Sequence, residues 1–139
     1  LDMNTVEPAI GAHRMEGIYA WKTMLDLGIH ASGGSDAPVV SFDSMENIYF
    51  AVTRKNINGQ PEEGWLPSEK LTVDEAVKLF TKYAAYASYT EEENGTIEVG
   101  KHADLVILEK DIYKIHPDDI KTTKVDMTIL GGMTVYERE

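Results

Sequence analysis

The stretch that most constrains the fold is residues 28–39, Gly-Ile-His-Ala-Ser-Gly-Gly-Ser-Asp-Ala-Pro-Val. It follows a segment of helical periodicity, and residues 29–32 predict a short strand that stops at a glycine pair. Glycine permits backbone conformations and close approaches that other residues resist. Asp36 comes just after this pair, and α/β barrels keep catalytic groups just beyond the C-terminal ends of strands. The pattern makes Asp36 a candidate catalytic residue; the alternative is an aspartate that only shapes a turn before Pro38.

Three amphipathic helices are predicted around this stretch. Apolar residues at helical spacing predict the first from residue 16 to residue 25, with Gly28 as the glycine that ends it. The second begins near Asp43 and the third at Thr72, where Asp-Ser-Met-Glu and Thr-Val-Asp-Glu both have the form of a capping box. The predicted buried faces are Met45, Ile48, Tyr49 and Val52 in the second helix, and Val73, Ala76, Val77, Phe80, Ala84 and Ala87 in the third.

The segment between the second and third helices has two parts. Arg54 and Lys55 are predicted at the C-terminal end of the second helix, where cations interact favourably with the helix dipole. Residues 56–70 are rich in Gly, Pro and Glu and too long for a simple turn. We interpret them either as a functional loop, in which Trp65 would cover an active site, or as a connector.

Beyond residue 90 the predicted elements are strands. The continuous apolar run of residues 105–108 predicts a strand covered on both faces. This change from α/β to β predicts two domains, residues 1–90 and residues 91–139. The predicted strands are residues 96–99, 105–108, 125–129 and 133–136, the last two joined by a Gly-Gly hairpin turn.

Composition excludes several classes of function. The net charge of −11 argues against nucleic-acid binding, which requires basic patches. The absence of cysteine excludes a disulfide framework and a thiolate metal site. No apolar run has the length of a membrane span, and the start of the sequence lacks the pattern of a signal peptide. We expect a cytoplasmic protein without membrane contact.

The four histidines do not form a metal-binding motif of their own. None is paired with another at the two- or four-residue spacing that lets two imidazoles share one ion. His30, in the predicted strand before the turn, is the one expected near Asp36. His13, His102 and His116 are interpreted as loop or surface residues.

Several motifs in order carry a resemblance to a known family. Residues 34–39, Gly-Ser-Asp-Ala-Pro-Val, resemble the Gly-Ser-Asp turn after the last barrel strand of the amidohydrolase superfamily, in particular the amidohydrolase family 3 group. Residues 95–108, with Gly-Lys-His-Ala-Asp-Leu at their centre, are similar to the segment that leads into that family's small β-domain. The two motifs in this order are a more specific signal than either alone. Further similar segments are residues 51–54, 71–76 and 131–136.

The resemblance implies the C-terminal portion of a (β/α)8 TIM barrel, followed by strands of a small β-sandwich domain. It implies a metal-dependent hydrolase of C–N bonds in amides, cyclic amides or related groups, with one or two divalent metal ions, usually zinc. Asp36 would lie beside the metal and accept the proton of the attacking water, whose pKa the metal lowers. The candidates for substrate contact in the same turn are Ser35, Ala37, Pro38 and His30.

The rest of that family's site has no counterpart in residues 1–139. The family uses a His-x-His pair, a lysine or acid from a middle strand and two further histidines, and a barrel needs about 250 residues. One carboxylate cannot hold zinc, so we expect a C-terminal part of a larger hydrolase that is inactive alone. Expected partners are a small-molecule substrate and the remainder of the barrel or another copy of the chain, as a homo-oligomer. The alternative is a self-contained small α+β binding or structural module without catalysis.

Overall fold

A computed structural model of the chain describes residues 2–139. Within them, short 3-10 helices precede or connect the longer elements, and none of the helices is long and apolar enough to cross a membrane. The α-helices are α1 (Val6–Ile10), α2 (Trp21–Asp26), α3 (Ser44–Thr53), α4 (Val73–Phe80) and α5 (Lys82–Ala87). The strands are β1 (Leu105–Leu108), β2 (Val125–Leu130) and β3 (Met133–Glu137).

The beginnings of α3 and α4 are fixed by their side-chain caps. The Asp43 carboxylate accepts a hydrogen bond from the backbone N–H of Met45 at 2.8 Å, so α3 begins where predicted. The capping box predicted there is not complete, because the Glu46 side chain does not accept from the backbone of Asp43. Thr72 and Glu75 form the complete reciprocal capping box predicted for α4, each side chain accepting from the other's backbone N–H.

The main core lies between α3 and α4. Of the predicted buried faces, Met45, Ile48, Tyr49 and Ala76 are confirmed as buried. The partly buried members are Val52, Val73, Val77, Phe80 and Ala84. Tyr49 of α3 and Ile120 of the 3-10 helix Pro117–Thr122 are completely buried. The buried cluster consists of Met45, Ile48, Tyr49, Ala51, Leu71, Ala76, Leu79, Ile112 and Ile120.

Two predicted helices are shorter in the structure. The first covers only Trp21–Asp26, because Gly17 and Tyr19 before it have positive φ angles of 81° and 49°; Gly28 ends it as predicted, with φ 79°. The third is divided into α4 and α5 at Thr81, whose hydroxyl donates to the carbonyl of Val77 at 2.8 Å. Such back-bonding by threonine often bends helices. As a result, Ala87 is exposed and does not continue the buried face.

Two predicted strands are not formed within residues 2–139. Residues 29–32 are irregular, and the backbone N–H of Gly33 donates instead to the carbonyl of Leu79 at the end of α4, at 3.0 Å. Residues 96–99 are also irregular, with Ile97 and Val99 almost fully exposed. Both predictions were wrong for the same physical reason, since a strand requires a neighbour with which to exchange backbone hydrogen bonds.

The three strands form one antiparallel sheet in the order β1-β2-β3. The predicted Gly131-Gly132 hairpin turn is confirmed, and both glycines have positive φ. The expectation that residues 105–108 are covered on both faces is wrong, because Val106 and Ile107 of β1 are about half exposed. The described residues cover these two apolar side chains only in part.

The α-helices lie before residue 88 and the strands after residue 104, but the core contains residues from both parts. Ile112 and Ile120 follow β1 in the chain and pack into the cluster with α3 and α4. The division at residue 90 stays a prediction, and any boundary there crosses this shared core.

The conformation of Gly64 is the basis of a stability prediction. Gly64 has φ +78°, and an added Cβ would lie 2.4 Å from the carbonyl oxygen of Thr53. Left-handed backbone costs other residues about 1–2 kcal/mol, and this clash adds to it. We expect Gly64→Ala to lower the free energy of unfolding by at least about 2 kcal/mol in urea denaturation.

Gly59 provides the matched control for this substitution. Its φ is +80°, but an added Cβ would meet nothing within 4 Å. Gly59→Ala should therefore lose only the conformational part, about 1 kcal/mol. Equal losses for the two variants would show that the close approach to Thr53 contributes nothing.

Candidate active site

The turn that carries Asp36 forms one wall of a cavity of ≈ 750 Å³. Residues 31–36 supply this wall, and Phe50 and Arg54 of the α3 region also line the cavity. Trp65, from the loop after α3, also lines the cavity, which fits the interpretation of that loop as part of a site. Most of the lining surface is apolar, as is usual for small-molecule sites.

Asp36 is exposed at the cavity wall with its backbone in the left-handed region at φ 49°. Aspartate tolerates this conformation better than most residues. The turn is closed by its own backbone, since Val39 N–H donates to the Asp36 carbonyl at 2.9 Å and Val40 N–H to the Ser35 carbonyl at 3.3 Å. The Asp36 carboxylate makes no hydrogen bond or ion pair with residues 2–139, so both its oxygens can accept a proton or a ligand.

The other predicted site residues divide between the cavity and the outer surface. Ser35 lines the cavity together with Asp36. Ala37 and Pro38 are exposed in the same turn, outside the lining of this cavity as far as residues 2–139 define it. His30 points to α5, where it stacks on Tyr83 with ring centroids 5.0 Å apart. Their contacts with substrate stay predictions.

The histidines outside the predicted site are all exposed. His13 and His102 lie on the surface in short or irregular segments. His116 caps a 3-10 helix, its Nδ1 accepting a hydrogen bond from the backbone N–H of Asp118 at 3.3 Å. Within residues 2–139, no three His, Asp or Glu side chains come close enough to share a metal ion. Asp36 alone does not fit a zinc site, which takes three protein ligands when it is catalytic.

Arg54 is the functional candidate that sequence reasoning missed. Its side chain is only 6% exposed, and its guanidinium carbon lies 5.0 Å from the ring centroid of Trp21 and 5.4 Å from that of Trp65. Its Nε donates to the Trp65 carbonyl at 3.0 Å. Spacing along the chain placed Arg54 only at the end of a helix, because the two tryptophans come from distant segments.

The charges around the cavity are mostly negative. Asp2, Asp36 and Glu46 are carboxylates in its lining, and Arg54 and Lys55 are the cations. The Lys55 ammonium is 3.2 Å from the Asp118 carboxylate and is therefore paired. Burial lowers the pKa of the Arg54 guanidinium, although the negative charge of Glu69 opposes this effect. Arginine remains protonated in proteins even so.

Glu69 connects α2 to the 3-10 helix Pro67–Glu69 on one side of the site. Its carboxylate accepts hydrogen bonds from the hydroxyl and the backbone N–H of Thr23, the latter at 3.0 Å. The hydroxyl bond is the main cause that lowers the pKa of Glu69. Burial opposes the shift, while backbone N–H groups and the charge of Arg54 add to it.

This depressed pKa predicts a pH-dependent stability. Glu69 stabilises the fold fully above the ordinary glutamate pKa of about 4.3, and the contribution is lost as pH falls through the lower pKa of the folded state. We expect Glu69→Gln to lower the melting temperature at pH 7 and to have little effect at the lowest pH at which the unmodified chain is folded. Thermal unfolding followed by circular dichroism across this range measures the difference.

The exposed Glu63 supplies the control. Glu63→Gln makes the same chemical change without removing a hydrogen bond of the described fold, and should shift the melting temperature little at any pH. A Glu69→Gln effect that stays constant with pH would contradict the assigned role of the Thr23 contact.

Comparisons with known proteins identify the family of the chain. The chain matches the family model described as "Amidohydrolase family" over residues 2–136, and it belongs to that family. It is 36% identical to the putative amidohydrolase YtcJ of Bacillus subtilis over 137 residues, which are 99% of this chain and 26% of that protein. It is 34% identical to the N-substituted formamide deformylase of Arthrobacter pascens over 121 residues, 87% of this chain and 22% of that protein.

A solved structure shows the same fold. An amidohydrolase from Thermotoga maritima superimposes with a TM-score of 0.60 at 23% identity, covering 84% of this chain and 25% of that one. This chain therefore spans about a quarter of the length of the proteins it matches. The predicted family is confirmed, and so is the α/β class, with its helices and small antiparallel sheet. The barrel portion stays a prediction.

Proposed function

We propose that this chain contributes Asp36 and one side of the substrate cavity to an amidohydrolase that cleaves C–N bonds in amides, cyclic amides or related groups. The proposal rests on the position of the Asp36 carboxylate in a member of this family. This carboxylate has no partner among residues 2–139 and lies on the wall of a largely apolar cavity. One relative is an N-substituted formamide deformylase, and deformylation of an amide breaks a C–N bond.

The chemistry follows from the properties of a carboxylate. Hydrolysis of an amide requires water to attack the carbonyl carbon and to give up a proton as it does so. A carboxylate within hydrogen-bond reach of that water accepts the proton, which accelerates such steps about 10²–10⁴-fold. The short Asp36 side chain on a closed turn holds its oxygens in a narrow range of positions. The apolar lining would accommodate the organic substituents of the substrate.

The divalent metal of this family, zinc in our prediction, would lower the pKa of the attacking water when bound. The described residues do not fit a complete metal site, since they offer Asp36 without further ligands nearby. We propose that the remaining ligands come from other barrel segments or from another copy of this chain. The expected partners are therefore those segments and a small-molecule substrate.

The first test uses the 139-residue chain alone. With zinc added at equimolar concentration, we expect no hydrolysis of N-substituted formamides and no saturable zinc binding in isothermal titration calorimetry, because a single carboxylate binds zinc weakly. Turnover by the chain alone would contradict this expectation and would mean that it contains a complete site.

The second test supplies the missing part of the barrel. In a fusion protein, residues 2–136 replace the matching segment of the Arthrobacter deformylase, and formamide hydrolysis is measured with zinc. Activity clearly above that of the isolated chain supports the proposed function. A folded but inactive fusion protein favours the self-contained binding or structural module.

A further inference from the structure

Arg54 is a buried cation that lacks a carboxylate partner. None of the carboxylates of residues 2–139 lies within salt-bridge distance of its guanidinium, and its Nη2 makes no hydrogen bond with them. Glu69, whose charge acts on Arg54, has its carboxylate engaged by Thr23. Removing a charge from water is costly unless a partner charge offsets the cost, so an unpaired buried guanidinium favours the binding of a counter-charge.

The surroundings of Arg54 hold its guanidinium in one position. The rings of Trp21 and Trp65 lie against it, and its Nε is fixed by the Trp65 carbonyl at 3.0 Å. The backbone is fixed as well, since Arg54 N–H donates to the Phe50 carbonyl at 2.9 Å and the Arg54 carbonyl accepts from Trp65 N–H at 2.7 Å. These contacts use Nε and the ring faces, and among residues 2–139 the buried Nη2 is left without a hydrogen-bond partner, so that it can pair with a planar oxyanion.

The other residues that line the cavity indicate which further groups the ligand would contain. Arg54 and Asp36 line the same space, together with Phe50, Phe80 and Val39. Lys55, the other lining cation, is occupied by Asp118. The remaining charged residues of the lining are carboxylates, and the whole chain has a net charge of −11. Long-range electrostatic attraction would therefore not bring an anion into the cavity. Only a specific contact with Arg54 would hold one.

We propose that Arg54 binds a carboxylate group of the substrate and is the residue that selects an amide with an apolar body and one carboxylate. This inference rests on the proposed function of the cavity. The carboxylate pairs with the guanidinium, the apolar body packs on the phenylalanine side chains, and the scissile amide faces the turn that holds Asp36.

The test uses a pair of ligands of nearly the same size and shape, of which one carries a charge and the other is neutral. Trp21 and Trp65 are the only tryptophans of the chain, so its intrinsic fluorescence reports on Arg54 directly. We titrate the chain with cyclohexanecarboxylate and with its neutral counterpart cyclohexanecarboxamide, both transparent at the excitation wavelength. We expect a saturable fluorescence change with the carboxylate and an affinity at least about tenfold lower for the carboxamide, as a charged hydrogen-bonded pair provides. Equal affinities, or no saturable change with the carboxylate, would overturn the proposal.

Variants assign the effect to Arg54. Arg54→Met should abolish the preference for the carboxylate, and Arg54→Lys should weaken it, because lysine lacks the planar fork. Lys55→Met is the matched control, a neighbouring cation of the same cavity that should keep the preference unchanged. If Arg54→Met fails to fold, the ratio of the two ligand affinities in the unmodified chain still decides. Loss of preference in Lys55→Met with retention in Arg54→Met would also overturn the assignment.

Failure of the Arg54 proposal can be distinguished from failure of the proposed hydrolysis. Asp36→Asn removes the proposed proton acceptor and should leave the carboxylate preference intact or increase it, since one negative charge is gone from the cavity. If the chain prefers the carboxylate and the fusion protein is inactive, the Arg54 site is supported and the proposed reaction is contradicted. If the fusion protein is active and the chain shows no carboxylate preference, the reaction is supported and the Arg54 site is contradicted.

Discussion

Replacing Ile120 with alanine is expected to lower the free energy of unfolding by about 2–5 kcal/mol, the range for removing a large aliphatic side chain from a core. Ile120 is 0% exposed and joins the 3-10 helix Pro117–Thr122 to the core beneath α3. Lys121 reinforces the same contact, with its ammonium 4.6 Å from the ring centroid of Tyr49. Such a loss is a large part of the stability of an ordinary domain. Urea unfolding followed by circular dichroism measures it.

Ile97→Ala is the control, because the same side chain is removed from a position that is 88% exposed. We expect a change within about 0.5 kcal/mol. The pair also tests the predicted division at residue 90. If the helical part and the part after it share one core, Ile120→Ala should destabilise a single unfolding transition. Two unfolding transitions, only one of which is shifted by Ile120→Ala, would support independent domains.

The features that could be predicted from the sequence are those whose partners lie within a few residues. Asp43 caps α3 through the residue two positions on, and Thr72 and Glu75 cap α4 within one turn of helix. The glycine that ends α2 and the Gly131-Gly132 hairpin turn depend on backbone conformations that glycine adopts most easily. Each of these interactions is complete within the segment that shows the pattern.

The features that sequence reasoning missed depend on distant partners. Residues 29–32 have the composition of a strand, but within residues 2–139 they have no adjacent strand with which to pair. Ile112 and Ile120 have no helical or strand periodicity, and their burial depends on the position of α3. Thr81 fits the helical pattern, and its hydroxyl bond to Val77 still divides the helix. Apolar periodicity does not reveal any of these contacts.

The candidate site shows the same limit. Asp36 was identified because its short motif resembles one family, and the chain belongs to that family. The role of Asp36 stays a prediction. Arg54 was assigned to a helix end, and it is the C-cap of α3, but its guanidinium also lines the same cavity against two aromatic rings. The approach of Trp21 and Trp65 to one guanidinium is a property of the folded chain. A motif identified the acid, whereas only the structure showed the buried guanidinium in the lining of the same cavity.

The second large effect concerns Asp36. In the fusion protein, we expect Asp36→Asn to lower kcat about 10²–10⁴-fold, because an amide oxygen of the same size cannot take the proton from the attacking water. The substitution should leave the fold unchanged, since aspartate and asparagine both tolerate the left-handed conformation found here at φ 49°. The free energy of unfolding should therefore change by no more than about 0.5 kcal/mol. Steady-state kinetics and urea denaturation of the same preparation measure the two quantities.

Asp43→Asn is the control, because it removes a carboxylate that is not the proposed proton acceptor. Asp43 caps α3 through its side-chain oxygen, and asparagine caps helices about equally well, so both kcat and stability should be retained. If Asp36 only shapes the turn before Pro38, Asp36→Asn will also retain kcat, because asparagine adopts the same turn. A rate loss in Asp36→Asn without a stability loss then shows that Asp36 takes part in the reaction, as proton acceptor or at the metal, and does not only shape the turn. It distinguishes chemistry from turn formation with a single substitution.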